Sequence, residues 1–216
     1  MTSIKIGKRH IDVPSGFDVL ASTEDLPLPQ NKTTLNITSK NVKGSLQIWE
    51  GTHLPFTFEP LEMWVSETRG KMTGKCAIIE MSISEKDGVK YRHFIGKRKI
   101  PGRGLVYVFS LDIAYEDCLI QTKGWFEETG DSGLREARVL DEKLANGEVS
   151  LPLKGWQSDP FDPDLNLDFA RNLSEDPKYD AVFPDHPLSI CRSFISCAID
   201  GIRTRDFIIP ENACIE

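Results

Sequence analysis

The sequence has no long apolar run and no paired cysteines. Residues 1–14 contain no apolar stretch of the kind found in signal peptides, and no later run approaches the length needed to cross a bilayer. These absences predict a cytoplasmic protein that does not associate with membranes. The five cysteines are odd in number and widely scattered, without a C-x-x-C pair or clustered histidines. Reduced thiols are therefore expected, rather than disulfides or a metal site.

Basic residues are in the minority. Lys and Arg total 26 against 33 Asp and Glu, and the formal charge of −7 opposes non-specific binding to nucleic acid. The charge is unevenly placed, because residues 85–103 are mainly basic and residues 151–190 are mainly acidic. Such runs usually mark solvated faces. The alternative is a complementary surface for a charged partner.

The chain lacks a recognisable catalytic motif. No Gly-x-Ser-x-Gly occurs, and although His93 lies in a strand-like run near Ser82 or Ser84, a Ser–His pair also needs an orienting carboxylate and an exposed nucleophile turn. We interpret His93 as structural and His186, between Asp185 and a proline, as part of a helix start. The sequence therefore predicts neither catalysis nor a cofactor.

What is present is a chain of ordinary globular composition. Its 216 residues are enough to bury a core, and 39% hydrophobic with 27% charged residues is typical of a folded soluble protein. The amino-acid composition changes after Gly147, because six prolines follow within residues 151–187. We predict an α+β domain over residues 1–147 and a proline-rich acidic extension over residues 148–216 that packs on the same domain. The oligomeric state is left open.

Alternating apolar residues predict strands through most of the first 126 residues. Sequential strands joined by short turns favour antiparallel neighbours. Residues 97–104 are predicted to be a basic loop, because Pro101 interrupts the alternation. The predicted strands are residues 4–13 as a hairpin, 33–38, 45–49, 76–84, 89–95, 105–111, 117–126 and a short final strand at 207–209.

Three helices are predicted from stripes with helical spacing. The first covers residues 60–72, with Leu61, Trp64, Val65, Thr68 and Met72 on its apolar face. The second covers residues 132–146, with Asp131 or Ser132 as its N-cap. Its predicted apolar stripe is Leu134, Ala137, Leu140 and Leu144. Arg135 is predicted to lie on its solvent-exposed face. The third starts at Asp185 and carries Leu188, Cys191, Ile195, Ala198 and Ile202. The predicted fold class is α+β, a mainly antiparallel β-sheet flanked by helices.

The order of these elements resembles the Mog1/PsbP-like sandwich. The resemblance covers about residues 4–144 and includes the strand start Val13-Pro14-Ser15-Gly16-Phe17. Among bacterial members, the chain looks most like DcrB-type proteins and adaptors associated with type VI secretion. That family offers no catalytic motif. The segment Phe183-Pro184-Asp185-His186-Pro187-Leu188-Ser189, together with Trp125-Phe126-Glu127-Glu128, resembles bacterial cytoplasmic proteins from secreted-toxin loci.

Aromatic and charged residues supply the candidate partner-binding set. Trp125 and Trp156 each follow a glycine and are flanked by polar residues, where an exposed anchor for a partner would lie. The alternative is that they clamp the extension onto the sheet. The run Asp159, Asp162 and Asp164 is interpreted as a solvated loop or a binding surface, since it departs from an EF-hand calcium loop. The full predicted set is Arg98, Arg103, Trp125, Glu127, Glu128, Trp156, Asp159, Asp162 and Asp164.

These observations lead to one functional hypothesis with two alternatives. The acidic surface, the missing catalytic motif and the tail resemblance favour a non-catalytic immunity protein that neutralises a secreted bacterial toxin. A secretion adaptor that presents an apolar groove to a type VI effector is the first alternative. An enzyme of unknown reaction, built around His93, is the second.

Overall fold

The computed structural model describes residues 1–19, 32–39, 41–51, 58–72, 76–102, 104–130, 132–165 and 167–202. The predicted strand at 207–209 lies outside these residues. The described strands are β1 (Thr2–Ile6), β2 (Arg9–Val13), β3 (Asp18–Val19), β4 (Lys32–Thr38), β5 (Val42–Gly51), β6 (Cys76–Lys86), β7 (Val89–Ile100), β8 (Gly104–Ala114), β9 (Leu119–Glu128), β10 (Gln157–Ser158) and β11 (Arg171–Asn172). The described helices are α1 (Leu61–Lys71), α2 (Leu134–Ala145) and α3 (Pro187–Asp200), with 3₁₀ turns at Leu173–Glu175 and Pro177–Tyr179.

A seven-stranded sheet forms the centre of the described part of the molecule. Its strand order is β3-β4-β5-β9-β8-β7-β6, and every neighbouring pair is antiparallel. The hairpin β1-β2 and the pair β10-β11 are separate two-stranded sheets. The predicted α+β class with an antiparallel sheet is confirmed. Among the described helices, none has the length and apolar character required to cross a membrane.

The two faces of the sheet are covered differently. Successive strand residues point to opposite faces, so Tyr107, Phe109 and Leu111 of β8 share one face. There they join the main buried core with Phe194 of α3 and with the hairpin β1-β2. The opposite face carries a smaller cluster, in which Val65 of α1 packs on β6. We call these the core face and the α1 face.

Helix α3 begins with a histidine cap. The side chain of His186 occupies the N-cap position, and its Nδ1 accepts the backbone N–H of Leu188 at 3.1 Å. Pro187 takes the first helical position, where its missing N–H removes no helical hydrogen bond. The predicted role of His186 in the helix start is therefore confirmed, although the cap itself is not Asp185. The predicted stripe is also confirmed, since all its members are buried: Leu188, Cys191, Ile195, Ala198 and Ile202.

The predicted apolar stripe of α2 is half right. Leu140 and Leu144 pack against the cluster of Val139, but Leu134 is 62% exposed and Ala137 is exposed too. Arg135, assigned to the solvent-exposed face, is completely buried. The reason is the extension after Gly147, which covers α2 on the side of Val139. Trp156 and Tyr179 pack there with Val139 in a cluster of their own. The cap position is held by Gly133 rather than by Ser132, and Asp131 lies outside the described residues.

The predicted basic loop is also wrong for most of its length. Residues 97–100 continue strand β7, and the turn is confined to the region of Pro101 and Gly102. Lys97 is buried on the core face because the extension supplies Glu175 as its partner, with Lys97 Nζ 3.0 Å from Glu175 Oε2. A strand can carry a lysine inward when such a carboxylate meets it.

Candidate functional site: a carboxylate pocket at His186

Arg135 joins α2 to the extension. Its Nε donates to the carbonyl oxygen of Ser174 at 2.7 Å, and its Nη2 donates to the carbonyl oxygen of Asp176 at 3.2 Å. Its Nη1 lies 3.0 Å from Asp180 Oδ1 and 2.9 Å from Ser189 Oγ. Each guanidinium nitrogen therefore has an acceptor, and a buried arginine with this set of bonds is a structural tie.

A second buried ion pair lies beside this tie. Glu175 receives the Lys97 ammonium and also accepts the backbone N–H of Asn172 at 2.8 Å. The hydroxyl of Tyr107 lies 3.4 Å from Glu175 Oε1 and 3.2 Å from Glu136 Oε1. Burial, followed by the charge of Glu175, raises the pKa of Tyr107 well above its usual value. The phenol is therefore a neutral bridge between the ion pair and Glu136.

Glu136 belongs to a cluster with Glu128 and His186. His186 Nε2 lies 3.6 Å from Glu128 Oε1 and 3.9 Å from Glu136 Oε1. The other oxygen of Glu128 accepts the backbone N–H of Gly133 at 2.9 Å, which fixes the carboxylate at the start of α2. His186 Nε2 and Glu136 Oε2 are both buried and have no hydrogen-bond partner among the described residues. The cluster thus contains unused hydrogen-bonding capacity, which is unusual for buried polar atoms.

The charge states in this cluster follow from burial and from neighbouring charges. Burial, reinforced by Arg135 and Arg192, lowers the pKa of His186 to about 3, so the imidazole is neutral at pH 7. Its Nδ1 accepts a hydrogen bond from Leu188, which places the proton of the neutral ring on Nε2. Burial and the nearby Glu136 raise the pKa of Glu128, although the N–H of Gly133 lowers it.

The cluster lines a pocket of about 230 Å³. We call it the carboxylate pocket; its wall includes Asn41, Glu128, Leu134, Val182, Asp185 and His186, and Glu136 adjoins it. Leu134 and Val182 are 62% and 53% exposed, so the pocket reaches the surface between two aliphatic side chains. Phe183 and Pro184 complete this apolar rim. The pocket therefore combines an apolar mouth with acidic groups inside.

A divalent metal ion is one possible occupant of the cluster. Glu128, Glu136 and His186 can each place one ligand atom within 4.8 Å of the others. A metal on His186 Nε2 requires a lone pair there, which moves the ring proton to Nδ1. That proton would point at the N–H of Leu188 and remove the helix cap. The cluster therefore fits an organic cation better than a metal ion that needs the imidazole lone pair.

His93, the centre of the enzyme alternative, lies on the core face. It is directly opposite Ser82 in the β6–β7 register, and its Nε2 is 3.6 Å from Glu80 Oε1. Arg192 of α3 holds the same carboxylate at 3.0 Å. Burial raises the pKa of Glu80, but His93 and Arg192 together outweigh it and lower the pKa below its usual value. Ser82 lies within a strand rather than on an exposed turn. The arrangement therefore ties α3 to the sheet edge and lacks the nucleophile geometry of a hydrolase.

Four of the nine predicted partner-binding residues lie along the same end of the sheet. Arg98 is opposite Val106, and Val106 is opposite Glu127, so Arg98 and Glu127 share the α1 face, as does Trp125. Arg98 is exposed, Trp125 is half-buried, and Glu127 is buried with Lys43 Nζ 3.3 Å away. Glu128, next along β9, points to the core face and enters the carboxylate pocket.

The predicted residues of the extension lie apart from that group. Trp156 is buried against Val139, so it holds the extension on helix α2 rather than on the sheet, where the alternative placed it. Asp159 is buried too, paired with Arg69 of α1, and it accepts the N–H groups of the next turn. Asp162 is half-buried and Asp164 is exposed. Arg103 lies outside the described residues, and partner binding at all nine positions stays a prediction.

Sequence reasoning missed most of the pocket. Leu134 was expected on the buried side of α2, and neither Glu136 nor Val182 was singled out. One signal was available: Arg135, Val139 and Lys143 repeat every four residues and form a stripe one position away from the predicted one. Choosing between the stripes requires knowing which side the extension covers, and that contact is not local in sequence.

Comparison with known proteins adds little beyond fold. No family model matches the chain. No curated protein matches it either. Among solved structures, it is similar to the Ran-binding protein Mog1p of Saccharomyces cerevisiae, with 10% identity over 63% of this chain and 77% of that one, at a TM-score of 0.37.

Two further solved structures are similar to a comparable degree. PA94 of Pseudomonas aeruginosa, a protein of unknown function, is 12% identical over 70% of this chain and 98% of its own, at a TM-score of 0.35. Cyanobacterial PsbP from Synechocystis sp. PCC 6803 is 10% identical over 63% and 83%, at a TM-score of 0.33. Mog1p and PsbP are the proteins after which the resembled sandwich is named. At these scores the likeness carries no argument about function, and the expected link to type VI secretion stays a prediction.

Proposed function

We propose that the chain is a non-catalytic, cytoplasmic protein-binding protein of the immunity type, which neutralises a secreted bacterial toxin by docking it at the carboxylate pocket. The observation that carries the proposal is the pocket itself, where exposed Leu134 and Val182 flank the partly buried carboxylates of Glu128 and Glu136. Protein interfaces combine apolar anchors with a few polar groups that fix register. An exposed aliphatic pair beside unpaired carboxylates matches that pattern.

The acidic surface that would attract a toxin is smaller than predicted. Asp159, Glu175 and Asp180 are engaged with basic residues of the same chain, so they are not free to mimic or occlude a basic toxin site. Exposed acids nearer the pocket, such as Asp185, supply the electrostatic attraction instead. Attraction of this kind raises the association rate more than the affinity.

The test is complex formation with the toxin encoded by the neighbouring gene. We expect a stable complex at both low and moderate salt, slower association as salt rises, and loss of toxin activity in the complex. Leu134→Ala with Val182→Ala should weaken binding about tenfold or more, as for truncation of interface anchors. Met63→Ala, at a side chain of α1 that is 55% exposed, is the matched control and should bind normally. The proposal is contradicted if no complex forms at low or at moderate salt concentration. It is also contradicted if the double variant and the Met63→Ala control bind the toxin equally well.

A further inference from the structure

The charges around the carboxylate pocket do not balance. Lys97 offsets Glu175, and Arg135 and Arg192 together offset Asp180 and Glu80. The remaining carboxylates are those of Glu128 and Glu136, and no Lys or Arg nitrogen of the described residues lies within 4.0 Å of either. Two neighbouring carboxylates without a counterion repel each other when charged. A cation bound between them removes that cost.

A buried, neutral histidine forms one side of the same position. The side chain of His186 is only 3% exposed, its Nδ1 is held by Leu188, and its Nε2 faces the two carboxylates beyond hydrogen-bonding distance. Glu136 Oε2 is also buried without a partner. The proton on Nε2 makes the imidazole a donor, so a cationic ligand donates to the two carboxylates and not to His186.

The mouth of the pocket indicates what carries that cation. A volume of about 230 Å³ equals the liquid volume of about eight water molecules, which suits one long side chain. Leu134 and Val182 offer apolar surface at the entrance, and a free inorganic cation gains nothing from such surface. Lysine and arginine side chains have apolar stems and charged heads, and they bury the stem along apolar surface.

We propose that the carboxylate pocket binds a basic side chain of the partner, with its charged head between Glu128 and Glu136. The methylene stem then lies against Leu134 and Val182. This inference rests on the proposed protein-binding function and names the chemistry that the partner must present. A guanidinium suits the site best, because its fork of donors can serve two carboxylates at once.

The inference is tested with a probe that needs no toxin. Nα-acetyl-arginine amide, titrated into ¹⁵N-labelled protein, should shift the amide signals of Leu134 and Val182 saturably in the millimolar range. Nα-acetyl-citrulline amide has the same shape without the charge and should cause no saturable shift. Glu136→Gln should weaken probe binding about tenfold, consistent with loss of a charged hydrogen-bond acceptor. Asp141→Asn, at an exposed acid of the same helix, should leave it unchanged.

Several outcomes would overturn the inference. Equal shifts from both probes would show that charge is not recognised, and unchanged affinity in Glu136→Gln would place the cation elsewhere. Zinc alone shifting the same amides at micromolar concentration, and displacing the probe, would make the cluster a metal site. Lys40 adjoins Asn41 in the sequence but lies outside the described residues. Stronger probe binding by Lys40→Gln would therefore assign the cation to this chain itself.

The two proposals fail separately. If the toxin does not bind but the probe does, the immunity function is wrong and the basic side-chain pocket stands. If the toxin binds and tolerates Glu136→Gln while the probe does not bind, the protein-binding function stands and the basic side chain is wrong.

Discussion

Arg135 and His186 both line the carboxylate pocket but differ in how completely their nitrogens are bonded. Arg135 has acceptors at Nε and at both terminal nitrogens, whereas His186 has one nitrogen bound and the other unpartnered. A guanidinium needs such a full set because removing it from water is costly. The imidazole avoids that cost by staying neutral. Arg135 is therefore a structural tie, whereas His186 adds no charge to the pocket.

The neutrality of His186 predicts a pH-dependent stability. Its pKa is about 3 in the folded protein against 6.5 for an ordinary histidine, so below pH 6.5 the unfolded chain takes up a proton that the folded chain excludes. The contribution is fully present above pH 6.5. It falls by about 1.4 kcal/mol per pH unit between about pH 6 and pH 4.

The variant His186→Asn isolates this contribution, because asparagine is a good helix cap that does not titrate. Urea unfolding of both proteins across this pH range should show a steeper loss of stability for the wild type. The groups facing His186 (Glu128, Glu136, Tyr107 and Arg135) are common to both proteins. Parallel curves for the two proteins would show that His186 is not held neutral by the fold.

At the scale of elements, the packing of the central strands depends on a position without a side chain. Gly124 of β9 leaves space for the ring of Phe109, which stacks on Phe126 with centroids 5.6 Å apart and planes at 7°. A Cβ at Gly124 would lie 2.5 Å from the Phe109 ring and 2.7 Å from Cβ of Leu46. Neither neighbour can withdraw without disturbing the core, since protein interiors are close-packed.

Two alanine substitutions separate crowding from backbone entropy. Gly124→Ala should destabilise the protein by about 1–3 kcal/mol through overpacking. Gly70→Ala, where an added Cβ meets nothing within 4 Å in helix α1, should stabilise it by up to about 1 kcal/mol. Chemical denaturation at constant pH measures both. Equal effects of the same sign would contradict the packing argument.

Local pattern predicts an element well when a single, wide surface buries it. The alternation along β7 and β8 and the stripe of α3 predicted both element type and buried face, because one continuous core covers them. In β6 the register shift between Ile78 and Glu80 separates Ile79 on the core face from Met81 on the α1 face, although one face was predicted for both. Helix α2 was predicted as a helix, but its buried face is shifted toward Arg135 because a distant segment covers it. Lys97 looked like a loop residue for the same reason, since its partner Glu175 is 78 residues away.

The candidate site was less predictable than the fold. Glu128 was included in the predicted set, and His186 was placed correctly at its helix start. Glu128 and His186 lie near Glu136 because of the way in which β9, α2 and the extension pack together. No spacing in the sequence predicts that packing. Trp156 looked like a partner anchor because a glycine precedes it, yet it packs inside the described molecule.

On the scale of the whole molecule, the extension is joined to the sheet region by buried charges. Lys97 of β7 meets Glu175, Arg69 of α1 meets Asp159, and Arg135 of α2 is enclosed by the 3₁₀ turns. Breaking one buried pair leaves a desolvated charge, which usually costs several kcal/mol. The two parts should therefore unfold together, as the predicted packing on one domain requires.

Glu175→Gln tests this coupling. It should lower stability by about 3 kcal/mol, because Lys97 remains buried without a charged partner. Differential scanning calorimetry should still show one transition, with calorimetric and van 't Hoff enthalpies in agreement. Asp168→Asn, at an exposed acid of the same extension, should leave the transition unchanged. Two separated transitions in the wild type would show that the extension is an independent unit.

The two edge strands of the sheet influence whether sheets of neighbouring molecules can join at high protein concentration. In the described part of the chain, one end is β3, with two residues, and the other is β6, whose register shifts between Ile78 and Glu80. The bulged strand also presents Glu80, held by Arg192, where an incoming strand would have to align. Short and irregular edges with charged residues oppose growth of one sheet onto another. These features disfavour fibril formation from the folded state through the described edges of the sheet.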